Sequence, residues 1–146
     1  MTATVQSTIS EIALSLETDG KPKFGISALQ ARLDGVIQAD FEVEVDREDL
    51  EDLLSAELYE ANGYDELPEE LQPAMVRNAH DLGRQRANIL LQAALAMCVA
   101  GTQHITGSLD ARDFTNAHEI AERSPGLLSD LMAQRRMILL NRVGEA

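Results

Sequence analysis

The feature that most constrains the fold is a long apolar stretch in the second half of the chain. Residues 84–100 read RQRANILLQAALAMCVA, and after the first turn nearly every position is apolar. A helix that is apolar all round must be covered by other elements, so this segment predicts a central buried helix. Cys98 is the only cysteine and falls in this run, so we expect it to act as a small buried hydrophobic residue.

Shorter amphipathic patterns on both sides predict helices that pack around the central one. Apolar residues recur at helical spacing in segments 9–16, 27–33, 50–58, 71–79, 109–121 and 127–143. Pro68 and Pro125 stand where an N1 proline belongs, which predicts helices that open at these positions. Only residues 41–45 alternate with the two-residue period of an extended segment. We therefore predict an all-α fold with at most a short extended segment near 41–45.

The length of 146 residues fits a single domain. Its first part, 1–67, holds the acidic residues, and its second part, 68–146, supplies the helical core. The N-terminus lacks the basic and continuous apolar regions of a conventional signal peptide, and no stretch is apolar for long enough to span a membrane. We expect a soluble chain.

The net charge of −13 is concentrated in one quarter of the chain. Residues 34–70 contain 15 Asp or Glu and one basic residue, Arg47. This segment is either a solvated surface or a docking surface for a basic protein. The residues predicted to bind such a partner are Glu48, Glu51, Asp52 and Glu69. Direct binding to nucleic acid is disfavoured, because the chain has no cluster of Lys and Arg to neutralise phosphates.

Motifs for metals and cofactors are missing from the sequence. His80, His104 and His118 fall in three different predicted elements and no cysteine pair exists, so we predict no metal site. No glycine-rich phosphate loop follows an extended segment, so we predict no cofactor. Carboxylate chemistry stays open, but 25 acidic residues make a suggestive pair easy to find by chance.

Several short motifs occur in an order that resembles a known enzyme family. They are LETDG at 16–20, KFGIS at 23–27, YDELP at 64–68, Leu91-Gln92, ITGSL at 105–109 and Arg135-Arg136. The order is similar to that of the small muramidases of glycoside hydrolase family 108, a lysozyme-like group that includes phage endolysins and secretion activators. The resemblance covers nearly the whole chain.

This resemblance implies a lysozyme-like fold, a peptidoglycan-binding C-terminal half and N-acetylmuramidase activity on peptidoglycan. Glu17 falls on the general acid of the family. The residues expected to bind substrate are Phe24, Ser27, Tyr64 and Asp81. A phage or prophage origin would place the protein in the host cytoplasm or in a virion.

Two departures from the family pattern keep a second function open. Only seven residues separate Glu17 from Gly25, where the family has a longer loop, and the chain has no tryptophan. The alternative is a catalytically inactive muramidase fold that serves as a structural protein of a virion or other assembly and docks a basic partner through residues 40–70. A third interpretation treats the acidic segment as a mimic of nucleic acid that binds a basic host protein.

Overall fold

The fold, seen in a computed structural model, is built from α-helices. The structure describes residues 2–18, 21–22, 47–99 and 103–145. These ranges contain six α-helices: α1 (Ala3–Leu16), α2 (Arg47–Ser55), α3 (Gln72–Leu82), α4 (Arg84–Cys98), α5 (Ala111–Arg123) and α6 (Leu127–Glu145). Two short strands, β1 (Glu17–Thr18) and β2 (Lys21–Pro22), follow α1. The all-α expectation is confirmed for the described part of the chain.

Helix α4 lies at the centre of the described fold. It contacts α3, α5 and α6, and its Ala87, Leu91 and Leu95 are completely buried. The predicted helix is present and packs against three others, but the expectation that it is covered on nearly every side is not met, because Ile89 and Met97 are exposed. Its last residue, Cys98, is half-buried against the core.

The remaining helices complete one continuous hydrophobic core. Helix α1 packs on α2 and α3, and its Val5 and Ile9 join Leu50 of α2 and Met75 of α3 in the same buried cluster. Burial of a side chain of this size contributes about 1.5–3 kcal/mol relative to exposure. The apolar spacing thus predicts the buried faces of α1, α2 and α3, whereas α6 leaves Met137, Ile138 and Leu140 exposed.

The segment between α2 and α3 is more irregular than its pattern predicts. A π-helical turn (Ala56–Glu60) continues α2, and two 3₁₀ turns (Tyr64–Glu66 and Glu69–Leu71) precede α3. Pro68 has an extended backbone with ψ 138°, so it stands outside the α-helix and before the second 3₁₀ turn. The predicted α-helix at Pro68 therefore begins four residues later, at Gln72, with Pro73 in its first turn, where a missing N–H has no cost.

Helices α5 and α6 are joined by a tight turn at residues 124–126. Helix α6 begins at Leu127, two residues after Pro125, and the Leu127 amide donates to the Ser124 carbonyl oxygen at 3.1 Å. Oε2 of Glu70 accepts from the Gly126 amide at 3.0 Å, so an acidic side chain stabilises the start of α6. The predicted helix at 27–33 and extended segment at 41–45 lie outside the described residues.

Each of the six helices in the described ranges is too short or too polar to cross a lipid bilayer.

Candidate functional site

Glu17 lies where the backbone leaves α1. Helix α1 ends at Leu16, and Glu17 starts β1, which pairs antiparallel with β2. In this register Glu17 stands opposite Pro22 and Thr18 opposite Lys21. The helix therefore ends at the same residue as the apolar pattern of segment 9–16. The predicted general acid sits at the junction of a packed helix and an extended backbone pair.

Two of the four predicted substrate-binding residues, Tyr64 and Asp81, lie among the described residues. Phe24 and Ser27 lie outside the described residues. Tyr64 is completely buried, and its hydroxyl donates to Oδ1 of Asn88 at 2.7 Å. Burial also raises the pKa of Tyr64. This burial is at odds with the predicted role of Tyr64 as a sugar-binding residue, because a ring enclosed in the core has no face left for a ligand.

Asp81 lies in the last turn of α3 and contacts the side chains of Arg136 and His80. Its Oδ2 accepts from Nη2 of Arg136 at 2.5 Å, and its Oδ1 lies 2.7 Å from Nδ1 of His80. Partial burial pushes the pKa of Asp81 upward, but the hydrogen bonds from Arg136 and His80 outweigh burial and hold the pKa below its usual range. Asp81 therefore stays ionised at neutral pH and links α3 to α6.

The acidic residues predicted to bind a partner occupy two elements. Glu48, Glu51 and Asp52 lie on α2, while Glu69 lies in the second 3₁₀ turn. Glu48, Asp52 and Glu69 are exposed, and Glu51 is half-buried. Of the ten Asp and Glu residues between 47 and 70, eight are exposed, so most of this charge is available to solvent or to a partner.

A network of buried polar side chains is the main feature that the sequence did not predict. Gln92 of α4 is buried, and its Oε1 accepts from the amides of Thr106 and Gly107, both at 2.9 Å. Its Nε2 donates to the Ser108 carbonyl oxygen at 2.9 Å. Asn88, one helical turn earlier, donates to the Gly107 carbonyl oxygen at 3.0 Å. Two amide side chains thus fasten the 103–110 loop to the central helix.

The network continues into the start of α5 through a buried carboxylate. Asp113 accepts from Nε2 of Gln92 at 3.0 Å and from Nε2 of Gln103 at 2.7 Å. Asp113 and Asp110 also form a reciprocal capping box at the N-terminus of α5. Every donor to this carboxylate is a neutral amide, and the helix N-terminus adds a favourable dipole. The arrangement orders the loop and α5 as one unit.

A signal for this network does exist in the sequence. Asn88 and Gln92 are spaced four residues apart inside an otherwise apolar helix, so they share one face of it. Buried amides must find partners. The sequence cannot tell which distant segment supplies those partners.

Within the described ranges, no group of three or more His, Cys, Asp or Glu residues is placed to hold a metal ion. Comparison with protein-family models, with curated proteins and with solved structures finds no match.

Proposed function

We propose that the chain is a lysozyme-like domain that acts on the glycan of peptidoglycan as an N-acetylmuramidase, with Glu17 as the general acid. The observation that carries this proposal is the position of Glu17 at the exit of α1 into the β1–β2 pair. A general acid of this class needs both an apolar side and an open side. An apolar side raises a carboxyl pKa, and an open side admits the glycosidic oxygen.

The central part of the molecule also supports the proposal. The motifs Leu91-Gln92 and 105–109, which are separate in the sequence, are joined by the hydrogen bonds from Gln92 to Thr106 and Gly107. Two segments that carry the family resemblance are thus direct structural partners.

The reaction would begin with protonation of the leaving oxygen by Glu17. As the glycosidic bond breaks, positive charge develops on the sugar ring, and a second group must stabilise it or activate water. Asp81 is a poor candidate for this second group, because its two carboxylate oxygens already contact Arg136 and His80.

The test is the release of glycan fragments from purified cell walls. Wild type should generate new reducing ends, and Glu17→Gln should lose at least about a hundredfold in rate, since general acid catalysis contributes about 10²–10⁴-fold. Glu11→Gln is the matched control, because Glu11 lies on α1, the helix that precedes Glu17, and its ion pair with Arg77 is exposed. No release by wild type, or equal rates for the two variants, would contradict the proposal.

A second function is favoured by the exposed acidic surface of α2 and the 3₁₀ turns. If the fold serves as a structural protein of an assembly, this surface docks a basic protein. Replacing Glu48, Glu51, Asp52 and Glu69 by their amides should then weaken the complex and reduce its sensitivity to salt. A mimic of nucleic acid would instead capture a nucleic-acid-binding host protein, and added DNA would displace it.

A further inference from the structure

The methionines that the structure describes fall into two groups. Met97 of α4 and Met137 of α6 are exposed, at 56% and 61% of their surface. Met75 and Met132 are buried in the core, at 0% and 1%. Oxidation of methionine follows the access of the oxidant to sulfur. A peroxide in solution can therefore reach Met97 and Met137, whereas packing protects the two buried methionines.

Met97 differs from Met137 because a cationic side chain contacts its sulfur. Nη2 of Arg135 donates to Sδ of Met97 at 3.1 Å, and this contact joins the last turn of α4 to α6. Among the described residues, no carboxylate forms an ion pair with Arg135, whereas the neighbouring Arg136 donates to Asn78 and Asp81. The guanidinium group of Arg135 is thus directed at the sulfur of Met97.

Oxidation of the sulfur changes the strength of this contact. A thioether sulfur is only a weak acceptor. When hydrogen peroxide oxidises it, a sulfur lone pair attacks one peroxide oxygen, an S–O bond forms and the O–O bond breaks. The proton on the transferred oxygen goes to the leaving hydroxide, so that water is released and sulfur has lost two electrons. The sulfoxide oxygen is a strong acceptor, and a guanidinium donor gives it a charge-assisted hydrogen bond.

We propose that Met97 is a site of reversible oxidation and that Arg135 binds the sulfoxide oxygen, so that oxidation tightens the contact between α4 and α6. Both side chains are long and exposed, so a small rotation brings nitrogen and oxygen to the distance of about 2.7–2.9 Å of such a bond. A sulfoxide inside a core disrupts packing, but Met97 avoids this cost because more than half of it is exposed. The reaction needs no glycan and is independent of Glu17.

The experiment treats the full chain with hydrogen peroxide and then with dithiothreitol, which reverses oxidation of Cys98 to sulfenic acid or a disulfide. Peptide mass spectrometry measures the sulfoxide at each methionine, and thermal unfolding measures the melting temperature. Met97 should be oxidised well before Met75 and Met132. The melting temperature should rise by about 2 °C, the shift expected for one additional hydrogen bond in a chain of this size. A mixture of the two methionine sulfoxide reductases, one for each sulfoxide epimer, should restore the original value.

Four variants locate the effect. Met137→Leu leaves Met97 in place and should keep the rise, whereas Met97→Leu should abolish it. Both positions are exposed and the volumes are similar, so neither change should alter the melting temperature before oxidation. Arg135→Leu removes the donor and should abolish the rise, while Arg123→Leu, at an exposed position on α5, should keep it.

The proposal would be overturned if Met97 is oxidised no faster than Met75 and Met132, or if peroxide fails to raise the melting temperature of Met137→Leu. A rise that persists in Arg135→Leu, or that the reductases do not reverse, would overturn it as well.

Discussion

The hydroxyl of Tyr64 donates a hydrogen bond to Oδ1 of Asn88 at 2.7 Å, and both side chains are buried. This contact joins the first 3₁₀ turn to the central helix α4, whose Asn88 amide group also holds Gly107. One asparagine therefore connects two segments that are remote from each other in the sequence.

Tyr64→Phe should lower the free energy of unfolding by about 1–3 kcal/mol, because it leaves the buried Asn88 oxygen without its donor. Urea denaturation followed by far-ultraviolet circular dichroism measures the change. Phe fills the same volume, so a loss of this size reports the hydrogen bond and not a cavity. Unchanged stability would mean that water or another donor replaces the hydroxyl.

Gln92→Leu should be more damaging than Tyr64→Phe. It removes the acceptor for two loop amides and one donor to the buried Asp113 carboxylate, so we expect a loss of about 3 kcal/mol or more. Hydrogen exchange at the Thr106 and Gly107 amides should also accelerate. Gln134→Leu, on the exposed face of α6, is the matched control and should change stability by less than about 0.5 kcal/mol.

The same contacts show what sequence reasoning could and could not reach. Periodicity located α4 and its central position, because a pattern of apolar residues within one segment determines which faces need cover. It did not locate the network around Gln92, since the partners of a buried amide come from a loop remote in the sequence.

Tyr64 and Asp81 have tertiary partners that the sequence could not show, for a related reason. An aromatic ring such as that of Tyr64 can lie in a core or on a sugar-binding surface. The buried hydrogen bond from its hydroxyl to Asn88 places it in the core. Asp81 forms an ion pair with Arg136, which lies 55 residues further along the chain. The local sequence gives the chemical type and spacing of a side chain, but its environment depends on contacts with residues that are remote in the sequence.

Gly107 and Gly126 offer a matched pair for separating backbone strain from steric conflict. Both have positive φ, 84° and 82°. A Cβ at Gly126 would meet nothing within 4 Å, whereas a Cβ at Gly107 would lie 2.7 Å from Cγ of Gln85. Gly126→Ala should therefore cost about 1–2 kcal/mol for the left-handed backbone alone. Gly107→Ala should cost more, because the Gln85 side chain must also move. Equal losses of stability in thermal or urea unfolding would show that Gln85 moves freely.

The ion pair between Asp81 and Arg136 should make stability depend on acidic pH. The pKa of Asp81 is lower in the folded protein than its value of 3.8 without the protein environment, so its contribution is fully present above 3.8 and is lost as pH falls through the folded pKa. The difference in unfolding free energy between wild type and Asp81→Asn should be constant near neutral pH and should shrink below about pH 4.

The control uses Arg136→Met, which removes the main group that lowers the pKa of Asp81. The difference in unfolding free energy between Arg136→Met and the double variant that carries both Arg136→Met and Asp81→Asn should depend much less on pH. If the difference in unfolding free energy between wild type and Asp81→Asn stays unchanged down to pH 2, Asp81 acts through its shape and hydrogen bonds and not through its charge.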